Sequence, residues 1–312
     1  MTFVRSDGIV AHWDIDGIAS AVLIARHYNI PIDNIRLSST SRVYKFVKEL
    51  VSIGLNHIFV LDLNLNEKVT RDIARLTRKR GIGITIVDHH EWSQSTLEFV
   101  ESLHNLRLIL GSSYPCTAKL VHDSILSSAP LREEYKLLLD MAIDDDTYSN
   151  KIPLTSKWRV LLRWGDWGLR YRTLEYWLDG LVWPEWAEIE FQKIWKEYER
   201  LIYAAVESVE DASVEGTRIL FVYPDQKVHP GDLQHYLENI VEKKADVYVF
   251  VYGKSVSLRS AKLNVAEIAR ILGGGGHKKA AGASLNVSDK SSIKNTIISL
   301  FSRAFSKRGE KA

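Results

Sequence analysis

The chain has 312 residues, of which 46% are hydrophobic and 26% are charged, and its formal net charge is +2. These values are typical of a globular protein with room for two hydrophobic cores, and they do not by themselves indicate a nucleic-acid ligand. A single cysteine, Cys116, excludes an internal disulfide framework, and the lack of a long apolar run or of a signal-peptide pattern at Met1–Val10 predicts a cytoplasmic protein without a membrane partner.

The first half of the chain alternates short apolar runs with helical patterns. Strands are predicted at Gly8–His12, Asn34–Leu37, His57–Leu61, Gly83–Val87 and Leu106–Leu110. Helices are predicted at Gly17–Tyr28, Val43–Val51, Glu67–Lys79, Thr117–Leu126 and Leu131–Ile143. This alternation indicates a mostly parallel sheet with helices on both faces.

The middle of the chain, from Trp158 to about Val209, shows no strand pattern and is predicted to be helical. Alternation resumes after Gly216. Strands are predicted at Arg218–Tyr223, Val247–Val251, Ser255–Arg259 and Ala280–Val287, and helices at Gly231–Lys243 and Asn264–Leu272. We therefore predict an α/β fold: a parallel-sheet domain at residues 1–155, a helical connector at residues 156–212 and a smaller α/β domain at residues 213–312.

Four glycines and a histidine, Gly273–His277, separate the last predicted helix from the last predicted strand, and two lysines follow. Glycine is costly to order, so such a run is either a flexible linker or a place where backbone N–H groups approach a ligand closely. Ordered elements on both sides argue against a linker. The run therefore predicts an anion-binding turn.

Acidic and imidazole side chains follow three predicted strands of the first half, where each strand ends. They are Asp14, Asp16, Asp62, Asp88, His89 and His90. Ligands of an open parallel sheet bind at the carboxyl ends of its strands, so these side chains are expected at one edge. Crowded carboxylates raise each other's pKa unless cations neutralise them, and this donor set suits Mn²⁺ or Mg²⁺, with Zn²⁺ as an alternative. Two such ions can activate a water and stabilise an in-line displacement at phosphorus.

Two parts of this acidic set have more than one interpretation. Asp14 alone could be an ordinary helix N-cap. The run Asp144–Asp146 could supply one further ligand or form a solvated face, and the sequence does not say which aspartate points inward.

In their order along the chain, these motifs resemble those of the DHH phosphoesterase superfamily, in its form with a C-terminal DHHA1 domain. The matching motifs are Asp14-x-Asp16-Gly17 with Ser20, Asp62, Asp88-His89-His90, an aspartate within 144–146, Ser257–Ser260, and Gly273–His277 with Ala280-Ala281-Gly282. The resemblance covers nearly the whole chain except the connector. It implies a metal-binding DHH domain at residues 1–155 and a substrate-binding DHHA1 domain at residues 213–312.

The resemblance also implies a two-metal phosphodiesterase, typically Mn²⁺-dependent, with Mg²⁺ as a substitute. The implied metal ligands are Asp14, Asp16, Asp62 as the bridging group, His89 and Asp146, with Asp144 as second choice. His90 would contact the scissile phosphate, with Asp88 as a ligand or as its support. The implied substrate-binding residues are Arg259, Ser260, Gly274, Gly275, Gly276, His277 and Thr117.

His12 has an open role within this set. Oligoribonuclease and pyrophosphatase relatives carry a metal-binding histidine four residues before the first aspartate, where this chain has Val10. His12 instead lies two residues before Asp14, as in RecJ-like and many archaeal-type members. It is therefore either a metal ligand or a hydrogen-bonded structural residue.

The predicted connector is rich in tryptophan: seven of the nine tryptophans fall between Trp158 and Trp195. Interleaved aromatic and basic residues suit single-stranded nucleic acid, with Arg159, Arg163 and Arg170 as the expected contacts. A helical hairpin that buries tryptophan and exposes the arginine heads is the favoured alternative.

The leading functional hypothesis is hydrolysis of short single-stranded oligonucleotides, or of linear or cyclic dinucleotides, to mononucleotides. One alternative is a RecJ-like exonuclease on longer single-stranded DNA or RNA. Another is a replication or repair scaffold that partners the GINS complex, against which the intact set of carboxylates argues. The choice of RNA or DNA, the polarity and the oligomeric state stay open.

Overall fold

The structure, a computed structural model, describes residues 7–286 and 289–309. Two compact units divide the chain, residues 1–191 and 192–312. Val287, the predicted end of the last strand, lies outside the described residues. Among the described residues, none of the helices combines the length and the apolar character that a membrane-spanning segment requires.

The first unit contains a five-stranded sheet in which every neighbouring pair is parallel. Its strands are β1 (Asp7–His12), β2 (Ile35–Ser38), β3 (His57–Leu61), β4 (Gly83–Asp88) and β5 (Leu106–Leu110), in the order β2-β1-β3-β4-β5. The predicted parallel sheet is thus confirmed. A short 3₁₀ helix at Ile32–Asn34 occupies the start of the second predicted strand.

Six helices connect or follow these strands. They are α1 (Ile15–Tyr28), α2 (Val43–Ser52), α3 (Glu67–Arg78), α4 (Gln94–Glu101), α5 (Thr117–Ser124) and α6 (Glu133–Thr147). Every residue of α1 from Ile15 to Ala25 is buried, so this helix lies in the interior of the unit. The helix α4 is not predicted from the sequence, because its eight residues include few apolar ones.

Side-chain alternation along the strands explains one core of the first unit. Ile58 and Val60 of β3 and Ile84 and Ile86 of β4 point to one face, where they pack against apolar residues of α2, α3 and α4. Because parallel strands are covered by helices on both faces, their sequences read as nearly continuous apolar runs. This pattern made the strands predictable.

The predicted connector is helical over most of its length. Its helices are α7 (Pro153–Trp164), which begins three residues before the predicted connector, α8 (Trp167–Leu178) and α9 (Glu185–Glu207). The boundary between the two compact units falls within α9. The three-part division of the chain therefore stays a prediction.

Tryptophan packing organises the first two connector helices. Trp158 and Trp177 are fully buried, their ring centres lie 5.2 Å apart, and both indole N–H groups donate to the carbonyl oxygen of Val182. Buried indoles need such an acceptor, so this cluster is a satisfied core. The packing interpretation of these tryptophans is supported.

Arg159 does not lie where a nucleic-acid contact requires it. Its side chain is buried, Nε donates to Oδ1 of Asp145 at 2.5 Å, and the guanidinium stacks over Tyr148 at 4.0 Å. Its expected contact with nucleic acid is therefore wrong, because the charge is already neutralised inside the protein. Arg170 is half-buried instead, against Trp13.

The second unit is built on a six-stranded sheet in the order β10-β11-β9-β8-β7-β6. Its strands are β6 (Glu210–Val214), β7 (Thr217–Val222), β8 (Val247–Tyr252), β9 (Ser255–Arg259), β10 (Gly275–His277) and β11 (Ala280–Ser284). Its further helices are α10 (Pro230–Asn239), α11 (Val265–Ile271) and α12 (Lys290–Gly309). Among the described strands of this sheet, β7 and β8 pair in parallel and the other neighbouring pairs are antiparallel. The strand β6 and the helix α12 are not predicted from the sequence.

The last three residues of the glycine run, Gly275–His277, form an edge strand where an anion-binding turn is predicted. Gly276 has a φ of 134°, and a Cβ there would meet the carbonyl oxygen of Ala280 at 2.6 Å. A Cβ on Gly274 would meet the carbonyl oxygen of Gly282 at 2.1 Å. The close approach of this segment to β11 thus explains why glycine is required at these two positions, without any ligand.

Candidate metal centre

The carboxyl ends of the three central strands deliver the predicted cluster to one edge of the first sheet. Strand β1 ends at His12, β3 ends one residue before Asp62, and β4 ends at Asp88. The strands lie in parallel register, with Ala11 beside Leu61. Their polar residues therefore meet because of the sheet topology.

Within the part of the chain that the structure describes, three groups of side chains each have possible metal-ligand atoms within 4.8 Å of one another. They are Asp62 with His89 and His90, His12 with Asp14 and Asp62, and Asp16 with His89 and Asp146. Asp62 belongs to two groups, and so does His89. The structure thus brings together seven of the residues predicted from the sequence.

Asp62 has an unusual backbone. Its φ is 58°, in the left-handed region, and its N–H donates to the carbonyl oxygen of Val87 at 3.0 Å. Aspartate adopts this region more readily than most residues, but non-glycine residues persist there mainly where the surrounding structure requires it. The turn directs the Asp62 carboxylate into the cluster, where it is 4% exposed.

The start of α5 holds two of the carboxylates. The backbone N–H groups of Thr117 and Ala118 donate to the two oxygens of Asp16, each at 2.7 Å. The Thr117 hydroxyl donates to Oδ1 of Asp62 at 3.0 Å. Thr117 is fully buried. The structure therefore gives it the task of orienting carboxylates, where a phosphate contact is predicted.

His90 is held from behind by Asp88. The Nδ1 atom of His90 lies 2.8 Å from Oδ1 of Asp88, and the indole N–H of Trp92 donates to the other Asp88 oxygen at 2.6 Å. Asp88 is fully buried and belongs to none of the three donor groups found among the described residues. Its geometry is that of a support for His90.

The acidic run at 144–146 lies in the last turn of α6, because this helix continues four residues beyond its predicted end. Residues two apart on a helix point in nearly opposite directions. Asp146 places Oδ2 3.3 Å from Nε2 of His89, whereas Asp144 accepts hydrogen bonds from Ser149 and the Lys151 backbone. The structure thus brings Asp146, and not Asp144, to the cluster.

His12 and Asp14 form a close pair at the edge of the cluster. Nδ1 of His12 lies 2.6 Å from Oδ2 of Asp14 and 3.7 Å from Oδ2 of Asp62. Asp14 is also the N-cap of α1, since its Oδ1 accepts from the Gly17 N–H at 3.0 Å. The capping role and the cluster role therefore use different oxygens of one carboxylate.

The pKa values show the cost of this crowding. Burial raises the pKa of Asp62 well above its ordinary value, and the charges of Asp16 and Asp14 raise it further. Burial and the same two neighbours also raise the pKa of Asp146 well above its ordinary value. For Asp14, burial acts to raise the pKa, but the contact with His12 outweighs it and lowers the pKa to about 2.

This donor set fits a divalent cation. Oxygen and imidazole ligands without a nearby thiolate partner suit Mn²⁺ and Mg²⁺. Cys116 does not compete, since burial raises the pKa of its thiol and its Sγ accepts from the Lys119 N–H. A cation would remove the repulsion that raises the carboxylate pKa values.

The predicted substrate-binding residues of the second unit have different surroundings. Ser260 is buried, and its hydroxyl donates to the Asp246 carbonyl while accepting from two backbone N–H groups. It closes a turn, which corrects its expected contact with substrate. Arg259 is half-buried at the end of β9, and His277 is exposed on β10.

Sequence reasoning misses Trp92 and the contacts that the start of α5 makes with the carboxylates. Trp92 lies four residues after Asp88, and an aromatic donor close to a predicted buried carboxylate is a weak signal for such a bond. The bond from Thr117 to Asp62 joins residues 55 positions apart, so no local pattern could reveal it.

Comparisons with known proteins give one family match and several fold matches. Residues 216–303 match the DHHA1 domain. RecJ in complex with Mn²⁺ from Thermus thermophilus is 15% identical with a TM-score of 0.60, over 96% of this chain and 52% of that chain. The pGpG-specific phosphodiesterase PggH from Vibrio cholerae is 12% identical with a TM-score of 0.55, over 95% of this chain and 98% of that chain.

An exopolyphosphatase-related protein from Bacteroides fragilis is 14% identical with a TM-score of 0.55, over 96% of this chain and 93% of that chain. No curated protein sequence matches this chain. This chain spans about half the length of the Thermus RecJ chain. The expected resemblance is confirmed in two respects: the chain carries a DHHA1 domain at residues 216–303, and its fold is similar to the folds of RecJ and PggH.

Proposed function

We propose that the protein is a Mn²⁺-dependent phosphodiesterase that hydrolyses short single-stranded oligonucleotides, or linear or cyclic dinucleotides, to mononucleotides. The observation that carries the proposal is the set of three adjoining donor groups that share Asp62 and His89. A fold shared with RecJ and with the pGpG-specific phosphodiesterase supports the same class of reaction.

The proposed ligands are Asp14, Asp16, Asp62, His89 and Asp146, with His12 as a further candidate because it adjoins Asp14 and Asp62. Two Mn²⁺ ions, or Mg²⁺ in their place, would supply positive charge and a water of lowered pKa. Asp62 is the carboxylate suited to serve both ions, since it belongs to two donor groups.

His90 is the residue proposed to contact the scissile phosphate. Burial acts to lower its pKa, but the hydrogen bond and charge of Asp88 outweigh this and raise it. The ring therefore tends to carry a proton and suits a contact with a negatively charged phosphate oxygen. The contact with Asp88 orients the ring through Nδ1, which also lies 3.8 Å from Oδ1 of Asp62.

In the second unit, Arg259, His277 and the exposed backbone of Gly275 are proposed to hold the nucleotide. An arginine fork can bind a phosphate through two hydrogen bonds, and the edge strand β10, separated from the Arg259 strand by β11, has exposed backbone. Gly275 has no atom near the position of a Cβ, so its backbone can be approached closely.

The second candidate is a RecJ-like exonuclease on longer single strands. The TM-score of 0.60 to the Thermus RecJ favours it, although this chain spans only 52% of that protein. A scaffold that binds a replication protein is the third candidate. It is disfavoured because a scaffold has no need for buried carboxylates that repel one another.

One assay panel tests the proposal. Labelled dinucleotide, pentanucleotide, cyclic dinucleotide and a long single strand are incubated with the protein in Mn²⁺, Mg²⁺ or EDTA. We expect Mn²⁺-dependent release of mononucleotides from the short linear substrates, and preferred cleavage of the long strand would instead support the exonuclease.

Variants connect this activity to the cluster. Asp62→Asn and His89→Ala should abolish turnover, whereas Asp33→Asn, which changes an exposed aspartate of the same unit, should leave it intact. Isothermal titration with Mn²⁺ should show binding to the wild type and to the Asp33 variant only. Full activity of the Asp62 and His89 variants would refute the two-metal assignment.

A further inference from the structure

Two arginines of the first unit stack on the same tryptophan. The guanidinium carbons of Arg42 and Arg170 lie 4.9 and 4.8 Å from the ring centre of Trp167. Arg170 also stacks on Trp13 at 4.1 Å, and Arg42 on Phe46 at 4.9 Å. Arginine and aromatic side chains therefore alternate along a continuous ladder.

Neither arginine of this ladder has a carboxylate within ion-pair distance among residues 7–286 and 289–309. Other arginines of the protein do, as Arg71 with Glu67 and Arg218 with Asp211 show. The Nε of Arg170 donates to a backbone carbonyl, which leaves its two terminal nitrogens for another acceptor. Stacking holds both groups in place without neutralising them, which is the arrangement that suits a phosphate ligand.

Partial burial makes this charge costly without an anion. Burial lowers the pKa of Arg170, while Asp166 acts in the opposite direction. Asp166 does not lie within ion-pair distance of Arg170, and its Oδ1 caps α8 by accepting from the Leu169 N–H at 2.9 Å. A bound anion would offset the desolvation of the guanidinium.

Two members of the ladder, Trp13 at one end and Arg42 near the other, follow neighbouring strands at the sheet edge that carries the metal centre. Trp13 directly precedes Asp14, and its ring centre lies 5.3 Å from that of His12. Ser38, the last residue of β2, is the register partner of His12, and the loop that follows it leads to Arg42 at the start of α2. The ladder therefore begins beside the cluster and leads away from it.

We propose that Arg42 and Arg170 form a phosphate-binding track for a single-stranded oligonucleotide whose scissile phosphate lies at the metal centre. This inference rests on the proposed function and names its substrate class. Single-stranded nucleic acid is favoured over other anions because its bases stack on aromatic rings and guanidinium planes, and Trp13, Arg42, Trp167 and Arg170 are only half-buried. A linear dinucleotide has a single phosphodiester and cannot occupy both arginines in addition to the centre.

The experiment compares Arg42→Gln and Arg170→Gln with a matched control, Arg71→Gln. Arg71 also stacks on an aromatic ring, Phe99 at 4.2 Å, but it is paired with Glu67. The control therefore removes the same charge and the same stacking from another helix of the same unit. Thermal unfolding identifies any variant that is not folded. The Arg42→Gln variant is expected to fold, because the Arg42 side chain makes no capping hydrogen bond at the start of α2.

For a pentanucleotide, each track variant should lower kcat/KM about tenfold through KM, while kcat and the rate on a dinucleotide stay unchanged. Fluorescence anisotropy in EDTA provides a readout without turnover. There the slope of log affinity against log salt should fall by about 1 for each arginine removed. The control should change neither quantity.

The track proposal would be overturned if the track variants lost kcat/KM equally on the dinucleotide and the pentanucleotide, or if Arg71→Gln had the same effect as the track variants. A wild type that cleaves no phosphodiester would refute the proposed function, whereas a wild type that fails to bind oligonucleotide in anisotropy would refute the track. Inorganic polyphosphate is the competitor that tests the ligand class. If polyphosphate competes as strongly as unlabelled oligonucleotide, and both track variants lose this competition, the ladder would be reassigned to polyphosphate.

Discussion

Thr117 donates its hydroxyl hydrogen to Oδ1 of Asp62 at 3.0 Å, and in the same position its backbone N–H donates to Oδ2 of Asp16 at 2.7 Å. One residue at the start of α5 thus orients a carboxylate of α1 and a carboxylate that follows β3. Such supporting hydrogen bonds set the position of metal ligands and are typically worth one to two orders of magnitude in metal affinity.

Replacing Thr117 by valine should therefore weaken Mn²⁺ binding about 10- to 100-fold while the protein stays folded, because valine keeps the shape but lacks the hydroxyl. Isothermal titration measures this affinity. Thr70→Val is the control, since the Thr70 hydroxyl is equally buried but donates to the Asn66 carbonyl. Wild-type affinity in the Thr117 variant would show that Asp62 needs no such support.

The strands and the cluster at their ends could be predicted because both depend on local sequence. Apolar runs mark buried parallel strands, and parallel topology alone then brings Asp16, Asp62 and His89 to one edge. The sequence did not show whether Asp144 or Asp146 points inward, because that choice depends on where α6 ends. The edge strand that contains Gly276 is not predicted, because its three residues, Gly275–His277, show no apolar alternation.

Replacement by asparagine should affect metal binding at Asp146 and protein stability at Asp144. Asp146→Asn should abolish Mn²⁺ binding and activity with little loss of stability. Asp144→Asn should lower the free energy of unfolding by about 1–3 kcal/mol, because the buried carboxylate accepts from Ser149 and from two backbone N–H groups. Urea unfolding together with Mn²⁺ titration separates the two effects, and loss of metal binding in the Asp144 variant would contradict the assignment.

Alanine substitutions at two glycines of the 273–277 run should have different effects on stability. Gly276→Ala should destabilise the β10–β11 pair, because its φ of 134° and the Ala280 carbonyl at 2.6 Å leave no room for a Cβ. Gly275→Ala meets no atom within 4 Å and should leave thermal stability unchanged. If substrate approaches this backbone, Gly275→Ala should raise KM, whereas an unchanged KM would remove Gly275 from the substrate site.

Asp62→Asn should raise the melting temperature of the metal-free protein at pH 7.5. Burial and neighbouring carboxylates raise the pKa of Asp62 in the folded state, so this group lowers stability as pH rises from its ordinary value near 3.8 through the raised value. The uncharged amide of asparagine avoids this loss of stability and can still accept the hydrogen bond from Thr117. Each kcal/mol of unfolding free energy regained should raise the melting temperature by about 2–4 °C.

Addition of Mn²⁺ should make the wild type melt at a higher temperature than the Asp62→Asn variant. Ligands that bind only the folded state raise the melting temperature with concentration, so the wild type should gain stability on addition of Mn²⁺ and the variant should not. Differential scanning fluorimetry at pH 5 and pH 7.5, with and without Mn²⁺, measures both effects. The stabilising effect of the substitution should be smaller at pH 5, because more of the Asp62 carboxyl is then protonated. A variant that is less stable than the metal-free wild type at pH 7.5 would show that Asp62 is not held against repulsion, and the argument for a cation between these carboxylates would fail with it.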